Sequence, residues 1–517
     1  MASKNVKVKV KVNNVEKEFN DFITLKDIIK GETYLKDSNI AIVKGINQEI
    51  SESAMKYRIK TTGGTFILKV SEESQVVDFW NKHYKEFENK NLRWKSVSDA
   101  AFGSINIDLD VNTQSEDFER WDVLLSISGL DKSEGHLVFI RKDTTEAYGL
   151  YNPKLGTLIG GKRQLTNLKP GDKILSIELL RESKESIDYE ITTDLTTKIE
   201  DGWEIYTYSE LKLNGPAKTT EHALSIFENG YAEVSHNSNT FIADSRLQTL
   251  KIDDLNTLPR EKGAITVRNT GVGMGKVYIY KEGRTSSLSH TNVGKVVNGQ
   301  ELINFSTNGI ITTVCNPERI NLIGKSVKEA LTLLDKYSIE LENKDEFLNS
   351  EKENADENII VEQTPNYTLE LLNTKKVSIK AVNPEKVLHI QIYDKEAPKS
   401  AWYFRKLTGL TTKRIGILKT YFTHQDMAMF ERNLDYAKAL LPENTPKNKL
   451  DANKIAITNM VKKYKGYAGI RTSESDKYGP TGETFEGTNI VGEITKNENV
   501  LKNLKPKDEI YLYEEIK

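Results

Sequence analysis

A single cysteine, Cys315, stands in a chain of 517 residues. One thiol has no partner within the chain, so an internal disulfide framework is excluded. Nor can one thiolate make a zinc or iron–sulfur site, which takes several. Histidine is also scarce, at seven residues, and no two stand at His-x-x-His spacing. Long apolar runs are missing: none approaches the ~18 residues that span a bilayer. The segment Met1 to Asn14 alternates Lys and Val and has no hydrophobic signal core. A cytoplasmic protein is expected. An excess of either charge is missing too, with 73 Lys and Arg against 75 Asp and Glu and a formal net charge of -2. That balance gives no reason to expect nucleic acid or an anionic membrane as the main partner. A phosphate loop is lacking as well. Gly271-Val-Gly273-Met-Gly275 has no following Lys-Ser/Thr, and its glycines are not at dinucleotide spacing. It leads into the alternating strand Lys276–Tyr280, so no helix N-terminus waits for an anion, and a turn between strands is expected. ATP chemistry would have to come from a partner.

The chain does hold a repeat. Ile470 to Lys517 contains Tyr478-Gly-Pro-Thr-Gly482, Asn489-Ile-Val-Gly-Glu-Ile494 and Leu504-Lys-Pro-Lys-Asp-Glu-Ile510. A cousin at 139–179 contains Leu168-Lys-Pro-Gly-Asp-Lys-Ile174, and another at 265–314 contains Asn292-Val-Gly-Lys-Val296. Repetition of this kind governs architecture and is read before local structure. Each copy closes a β-rich unit of ~120 residues. The order in each is a strand, an acidic or Gly/Pro turn, a short helix, irregular strands, then the Gly-rich motif and a last strand. Many short strands with Gly/Pro turns and little helix predict barrels.

In chain order, Val6–Val12 alternates strictly and predicts a half-buried strand. Asn13-Asn14 turns it, Val15–Phe19 returns, Thr24 caps a short helix, and Ile40–Val43 is a buried strand. Thr65–Val70 is a strand, and Ser74–Phe87 an amphipathic helix with Val76, Val77, Phe79 and Trp80 inward. Trp203–Tyr208 is expected to open the second barrel unit, before a helix ending near Ile226-Phe227. Ser326 begins a helix, Lys344–Glu357 reads as a solvated loop, and Ile359–Pro365 and Val377–Val382 as strands. Leu388–Tyr393 opens the third barrel unit, and Pro398 suits the first turn of the helix after it.

Several stretches resemble known families. The two strands, helix and strand that end near residue 52 are similar to β-grasp domains of the ubiquitin and sulfur-carrier type. Sulfur carriers end in a free Gly-Gly, whereas Gly63-Gly64 lies mid-chain in Thr-Thr-Gly-Gly-Thr, so a structural or docking module is expected. Gly324-Lys-Ser326-Val-Lys-Glu-Ala330 with Val361-Glu-Gln-Thr-Pro365 resembles PASTA modules, which dock and bring no catalytic residues. Ile390-Gln-Ile-Tyr-Asp-Lys-Glu-Ala-Pro-Lys-Ser-Ala-Trp-Tyr-Phe404, with Tyr478–Gly482 and Asn489–Ile494, resembles a cyclophilin barrel. The Phe-His-Arg-Val and Gln-Gly-Gly-Asp stretches of the prolyl isomerases are not here. Arg405, Arg414 and Arg471 stand in other contexts, so no catalytic residue carries over.

Taken together with Gly263–Glu282 and Ser289–Val296, the domain order resembles the methanogenesis marker protein 3 family of methanogenic archaea. The implied architecture is mainly β with some α. It comprises β-grasp 1–55, cyclophilin-like units 56–182 and 183–319, PASTA-like 320–384 and cyclophilin-like 385–517. The resemblance implies an accessory subunit of the ATP-dependent assembly that reductively activates methyl-coenzyme M reductase. Its partners would be the reductase and iron–sulfur and ATP-using proteins, with no intrinsic cofactor, metal or catalytic residue. A prolyl isomerase or folding helper for the reductase is the alternative.

Cys315 follows Ile311–Val314, a core strand, and reads as a buried inert thiol or as one ligand to a cluster shared at an interface. His290 reads as a hydrogen-bonded structural residue. Glu116–Glu119 and the acidic residues of 345–357 read as surface.

Overall fold

A computed structural model describes residues 7–20, 23–50, 55–71, 73–180, 183–348 and 355–515. The chain divides into two compact units, Met1–Glu318 and Arg319–Lys517. Its secondary structure is mainly β, and among the described residues the strands form six sheets.

In the N-terminal sheet, Lys7–Val12 turns Val8, Val10 and Val12 inward, as its alternation demands. Asn13 and Asn14 make the turn at φ of 47° and 69°, and Val15–Asn20 pairs back. The sheet runs Ser183–Thr192, Ile40–Ile50, Glu204–Tyr206, Lys7–Val12, Val15–Asn20. Residues 183–206, expected to open the second barrel, therefore complete the N-terminal sheet. An antiparallel ladder runs from Ile40↔Thr192 to Ile50↔Ser183. The first barrel-like sheet is thus inserted between two paired strands. A pairing closed over so long a loop leaves no local sign in either strand. The expected end of the β-grasp near residue 52 lies outside the described residues.

The unit Arg319–Lys517 holds the closed barrel. Its strands run Val387–Ile392, Thr488–Lys496, Lys454–Thr458, Ala468–Arg471, Met427–Phe430, Ile415–His424, Glu509–Glu514. Parallel pairing of the opening strand Val387–Ile392 with the closing strand Glu509–Glu514 shuts the ring. The helix Pro398–Thr408 follows the opening strand, begins on its proline and stops at Gly409 (φ 87°). Ile390, Phe404, Phe430, Ile455 and Leu512 fill the interior. Beside the barrel, Glu340–Leu341, Lys376–Val382 and Ile359–Thr364 form a small sheet. The helix Val327–Tyr337 is closed by a reciprocal cap: Glu329 N donates to Ser326 Oγ at 3.2 Å and Ser326 N to Glu329 Oε2 at 2.9 Å. The charge-rich stretch is not wholly a solvated loop. Asp345–Leu348 is a helical turn that buries Phe347 in the module's core, and 349–354 lie outside the described residues.

The other two barrel units are open, curled sheets of eight strands among the described residues. The second repeats the wiring of the closed barrel. Ser209–Leu213 pairs parallel with Ile310–Asn316 and antiparallel with His290–Asn298, and the helix Ala217–Phe227 follows it. The strand matching Ile415–His424 is broken into Tyr231–Glu233 and His236–Asn237, so the ladder is interrupted there. In the first, Lys56–Thr61 stands between the opening strand Gly64–Val70 and the closing strand Ile174–Leu180, and every pairing is antiparallel. Its last strand, Asn91–Lys95, meets the closing side at the single bridge Asn91↔Lys173.

The repeated residues hold equivalent places. Gly156, Gly294 and Gly492 oppose Val70, Leu213 and Ile392, the last residues of the three opening strands. A Cβ on these glycines would lie 2.2 Å from Lys69 O, 2.1 Å from Lys212 O and 2.3 Å from Gln391 O. The Leu-Lys-Pro-x-Asp turns also match. Lys169 N donates to Asp172 Oδ2 at 2.6 Å, and Lys505 N donates to Asp508 Oδ2 at 2.8 Å. The third turn position is Gly171 at φ 93° in one and Lys507 at φ 78° in the other. Gly492→Ala should force the two strands apart and cost about 1–3 kcal/mol, as overpacking does. A denaturation midpoint equal to wild type would show that the close approach is not needed.

Candidate functional site

The third barrel carries a cluster of exposed apolar side chains beside one arginine. Ile415–His424 outruns the core, so its neighbours Tyr421 and Phe422, on opposite faces of the strand, are both exposed. The turn between Lys454–Thr458 and Ala468–Arg471 presents Met460, Val461 and Tyr464, the last 55% exposed. Arg432 packs on that turn: its guanidinium lies 4.6 Å from the Tyr467 ring centre and 5.9 Å from that of Tyr464. It also donates to Lys465 O at 3.1 Å. The Tyr421 and Tyr467 rings are 5.1 Å apart. Leu434 and Leu441 extend the exposed set, and Met460 N donates to Leu440 O at 2.8 Å. A patch of this kind marks an interaction surface more often than an ordinary face does.

The cluster rests on a rigid base. Tyr403, on the helix, donates its hydroxyl to Gly466 O at 2.6 Å, and burial pushes that hydroxyl up to about 12. Glu443 accepts from Ser400 N at 2.9 Å and from Ser400 Oγ at 3.0 Å. Asn489, from the repeated motif, donates to Ser400 Oγ and to Leu441 O, both at 2.8 Å. The motif thus ties the helix to the long segment that carries Leu434 and Leu441. Sequence reading missed Arg432, Tyr464 and Tyr467. The basic and aromatic run Lys462-Lys-Tyr-Lys-Gly-Tyr467 was the available signal.

The arginines singled out from the sequence are engaged in the scaffold. Arg405 donates to Asp394 Oδ2 at 2.8 Å and to Glu514 Oε2 at 2.9 Å. Burial disfavours its charge, and the two carboxylates outweigh burial and raise its pKa. Arg471 Nε is 3.1 Å from Asp426 Oδ2. Arg414 packs beside Gly324, where a Cβ would meet its own at 2.7 Å.

The remaining candidates fall at separate places in the unit Met1–Glu318. Gly271, Gly273 and Gly275 take φ of 73°, 89° and 84° in a turn between Ala264–Arg268 and Val277–Tyr280. Gly63 and Gly64 close the hairpin before Gly64–Val70. Glu116 accepts from Asn152 N at 3.2 Å, and Glu119 N donates to Asp122 at 3.1 Å. Cys315 lies in Ile310–Asn316, part-exposed; burial, with Glu318 adding, pushes its thiol up to about 12, against a reactive thiolate. Among the described residues no group of three or more His, Cys, Asp or Glu is arranged to hold a metal ion. No helix there is long and apolar enough to cross a membrane.

His290 is buried and shares a hydrogen bond with Thr266 Oγ1 at 3.0 Å. Burial, with Arg260 and Arg268 adding, pushes its imidazole down to about 3. His222 is lowered by burial although its Nε2–H donates to Gly275 O at 2.7 Å. His136 is lowered by burial against the pull of Glu134.

A family model described as "Putative peptidyl-prolyl cis-trans isomerase domain" matches residues 388–515, the closed barrel. The chain is 55% identical over 492 residues to a UPF0288 protein of Methanococcus aeolicus, covering 95% of this chain and 96% of that one. It is 35% identical to a UPF0288 protein of Methanothermobacter thermautotrophicus, over 98% of this chain and 97% of that one. It is 35% identical to another of Methanosarcina barkeri, over 98% of each. The chain belongs to the UPF0288 family, and these relatives come from methanogens. Among solved structures, an uncharacterized B. cereus protein overlaps 21% of this chain and 34% of its own, at 14% identity and a TM-score of 0.18. That likeness is too low to bear on fold or function.

The three lowered histidines set an acid sensitivity. Below the unfolded value of about 6.5 the unfolded chain takes protons that the folded unit refuses. Stability should be full above that pH and fall as pH drops toward the folded values, by up to about 1.4 kcal/mol per pH unit per histidine. All three lie in Met1–Glu318, so calorimetry between pH 7.5 and 4.5 should show the transition of that unit falling first. A transition that does not move would contradict the buried neutral imidazoles.

Proposed function

We propose that this chain is a non-catalytic accessory and scaffold subunit of the ATP-dependent assembly that reductively activates methyl-coenzyme M reductase in methanogenic archaea. The observation that carries it is the exposed set on the third barrel, Arg432 packed on Tyr464 and Tyr467 with Tyr421 beside Tyr467, and exposed Phe422, Met460 and Val461 on the same strand and turn, held on a barrel whose arginines Arg405 and Arg471 are tied into ion pairs. Membership of a family found in methanogens and the resemblance to methanogenesis marker protein 3 support the setting. In this reading the N-terminal sheet is a β-grasp, the three repeated sheets are cyclophilin-like and the small sheet after Arg319 is PASTA-like. The recurrence of opening strand, helix, glycine strand and closing strand supports the shared design of the three. The protein works in the cytoplasm without a cofactor of its own. The reductase and iron–sulfur and ATP-using proteins are its partners, and the redox and ATP chemistry is theirs.

The second reading is a peptidyl-prolyl isomerase or folding helper for the reductase, favoured by the family match over 388–515. Affinity purification of the tagged chain from a methanogen lysate should recover the reductase together with iron–sulfur and ATP-using proteins. Recovery of the chain alone would sink the scaffold reading. A prolyl-peptide assay separates the two: no acceleration is expected, whereas turnover lost in Arg432→Ala would favour the isomerase.

A further inference from the structure

A cleft of about 610 Å³ opens within Met1–Glu318, between the first curled sheet and the loop Glu282–Leu288. Six cations line it, Lys56, Arg58, Lys162, Arg163, Arg260 and Arg284, against one carboxylate, Glu282. The whole chain has a formal net charge of -2, so this concentration departs from the average surface. Acidic side chains offset part of it: Arg58 forms ion pairs with Glu178 at 3.6 Å and with Glu261 at 3.9 Å. Lys60, at 3.1 Å, is the nearer partner of Glu178. Arg260 is held in place by neutral oxygens: Nε donates to Thr285 O at 2.8 Å and Nη1 to the Tyr280 hydroxyl at 3.0 Å.

Glycines stand where side chains would intrude on the cleft. A Cβ at Gly283 would lie 3.2 Å from Arg58 Nη2, and one at Gly160 would lie 2.9 Å from Thr285 Cγ2.

We propose that this cleft binds a small, multiply phosphorylated organic anion. Guanidinium forks match phosphate oxygens, and the Ser287 hydroxyl, which accepts from Ser289 N, keeps a proton to donate. Ile67, Ile159, Leu180 and Leu288 give the organic part an apolar surface. The volume falls within the ~300–1,000 Å³ of small-molecule sites. A nucleic acid would need a cationic track along the surface rather than one concave site. The site is separate from the exposed cluster on the third barrel, so either can fail alone.

Isothermal titration of the full chain with inorganic tripolyphosphate and with ATP tests it. Each should bind at one saturable site and raise the melting temperature of Met1–Glu318. The variant Arg163→Ser/Arg284→Ser alters two exposed side chains, should melt like wild type without ligand, and should bind at least 10-fold more weakly. A hexaglutamate peptide should not saturate. The proposal is overturned if neither phosphate compound saturates, if the variant binds as well as wild type, or if hexaglutamate binds as tightly.

Discussion

The approach of two backbones at the end of each opening strand is the constraint on which the repeated architecture depends. At Gly156, Gly294 and Gly492 the glycine strand passes so near the opening strand that a single Cβ would strike a carbonyl oxygen. Without a side chain there, the two strands can pair in register and deliver the chain into the helix that follows. The helix then lies across the sheet, and the closing strand returns beside the opening one. In the copies 209–316 and 387–514 that return is parallel. In the first copy Lys56–Thr61 takes the intervening place. One steric requirement is thus met three times while the neighbours of the opening strand vary.

The scaffold and the exposed cluster are linked through the same motif. Asn489 stands three residues before Gly492 and reaches both Ser400 on the helix and Leu441 on the segment beyond the core. Asn292, in the matching stretch of the second sheet, donates to Pro259 O at 3.1 Å, again holding a long segment to the sheet. The sheets are therefore shared machinery, and the segments pinned to them differ. In the third barrel that segment bears Leu434 and Leu441. In the second it leads into Arg260 and the cationic cleft.

Much of this was legible in the sequence where the signal was local. Alternation gave Lys7–Val12, Ser326 gave the start of Val327–Tyr337, and Pro398 gave the start of the barrel helix. The turn at Gly271–Gly275 followed from its missing lysine and from the strand after it. What failed was non-local. Nothing in Ser183–Thr192 says that it pairs with Ile40–Ile50 rather than with the strands that follow, because that choice is made by contacts across an inserted domain. Asp345–Leu348 was hidden by charge, since a single buried Phe347 anchors an otherwise polar stretch. The cationic cleft was invisible for the same reason that the net charge was uninformative. Its six cations come from four separated stretches of chain and meet only in the fold.

Hydrogen–deuterium exchange of the chain, free and within the purified activation assembly, tests the scaffold role most directly. The expected result is protection at 419–424, 430–441 and 458–467, where the exposed apolar residues and Arg432 lie, with the Gly492 strand slow to exchange in both states. Equal exchange of those three segments in the free and assembled chain would contradict a docking role for the third barrel.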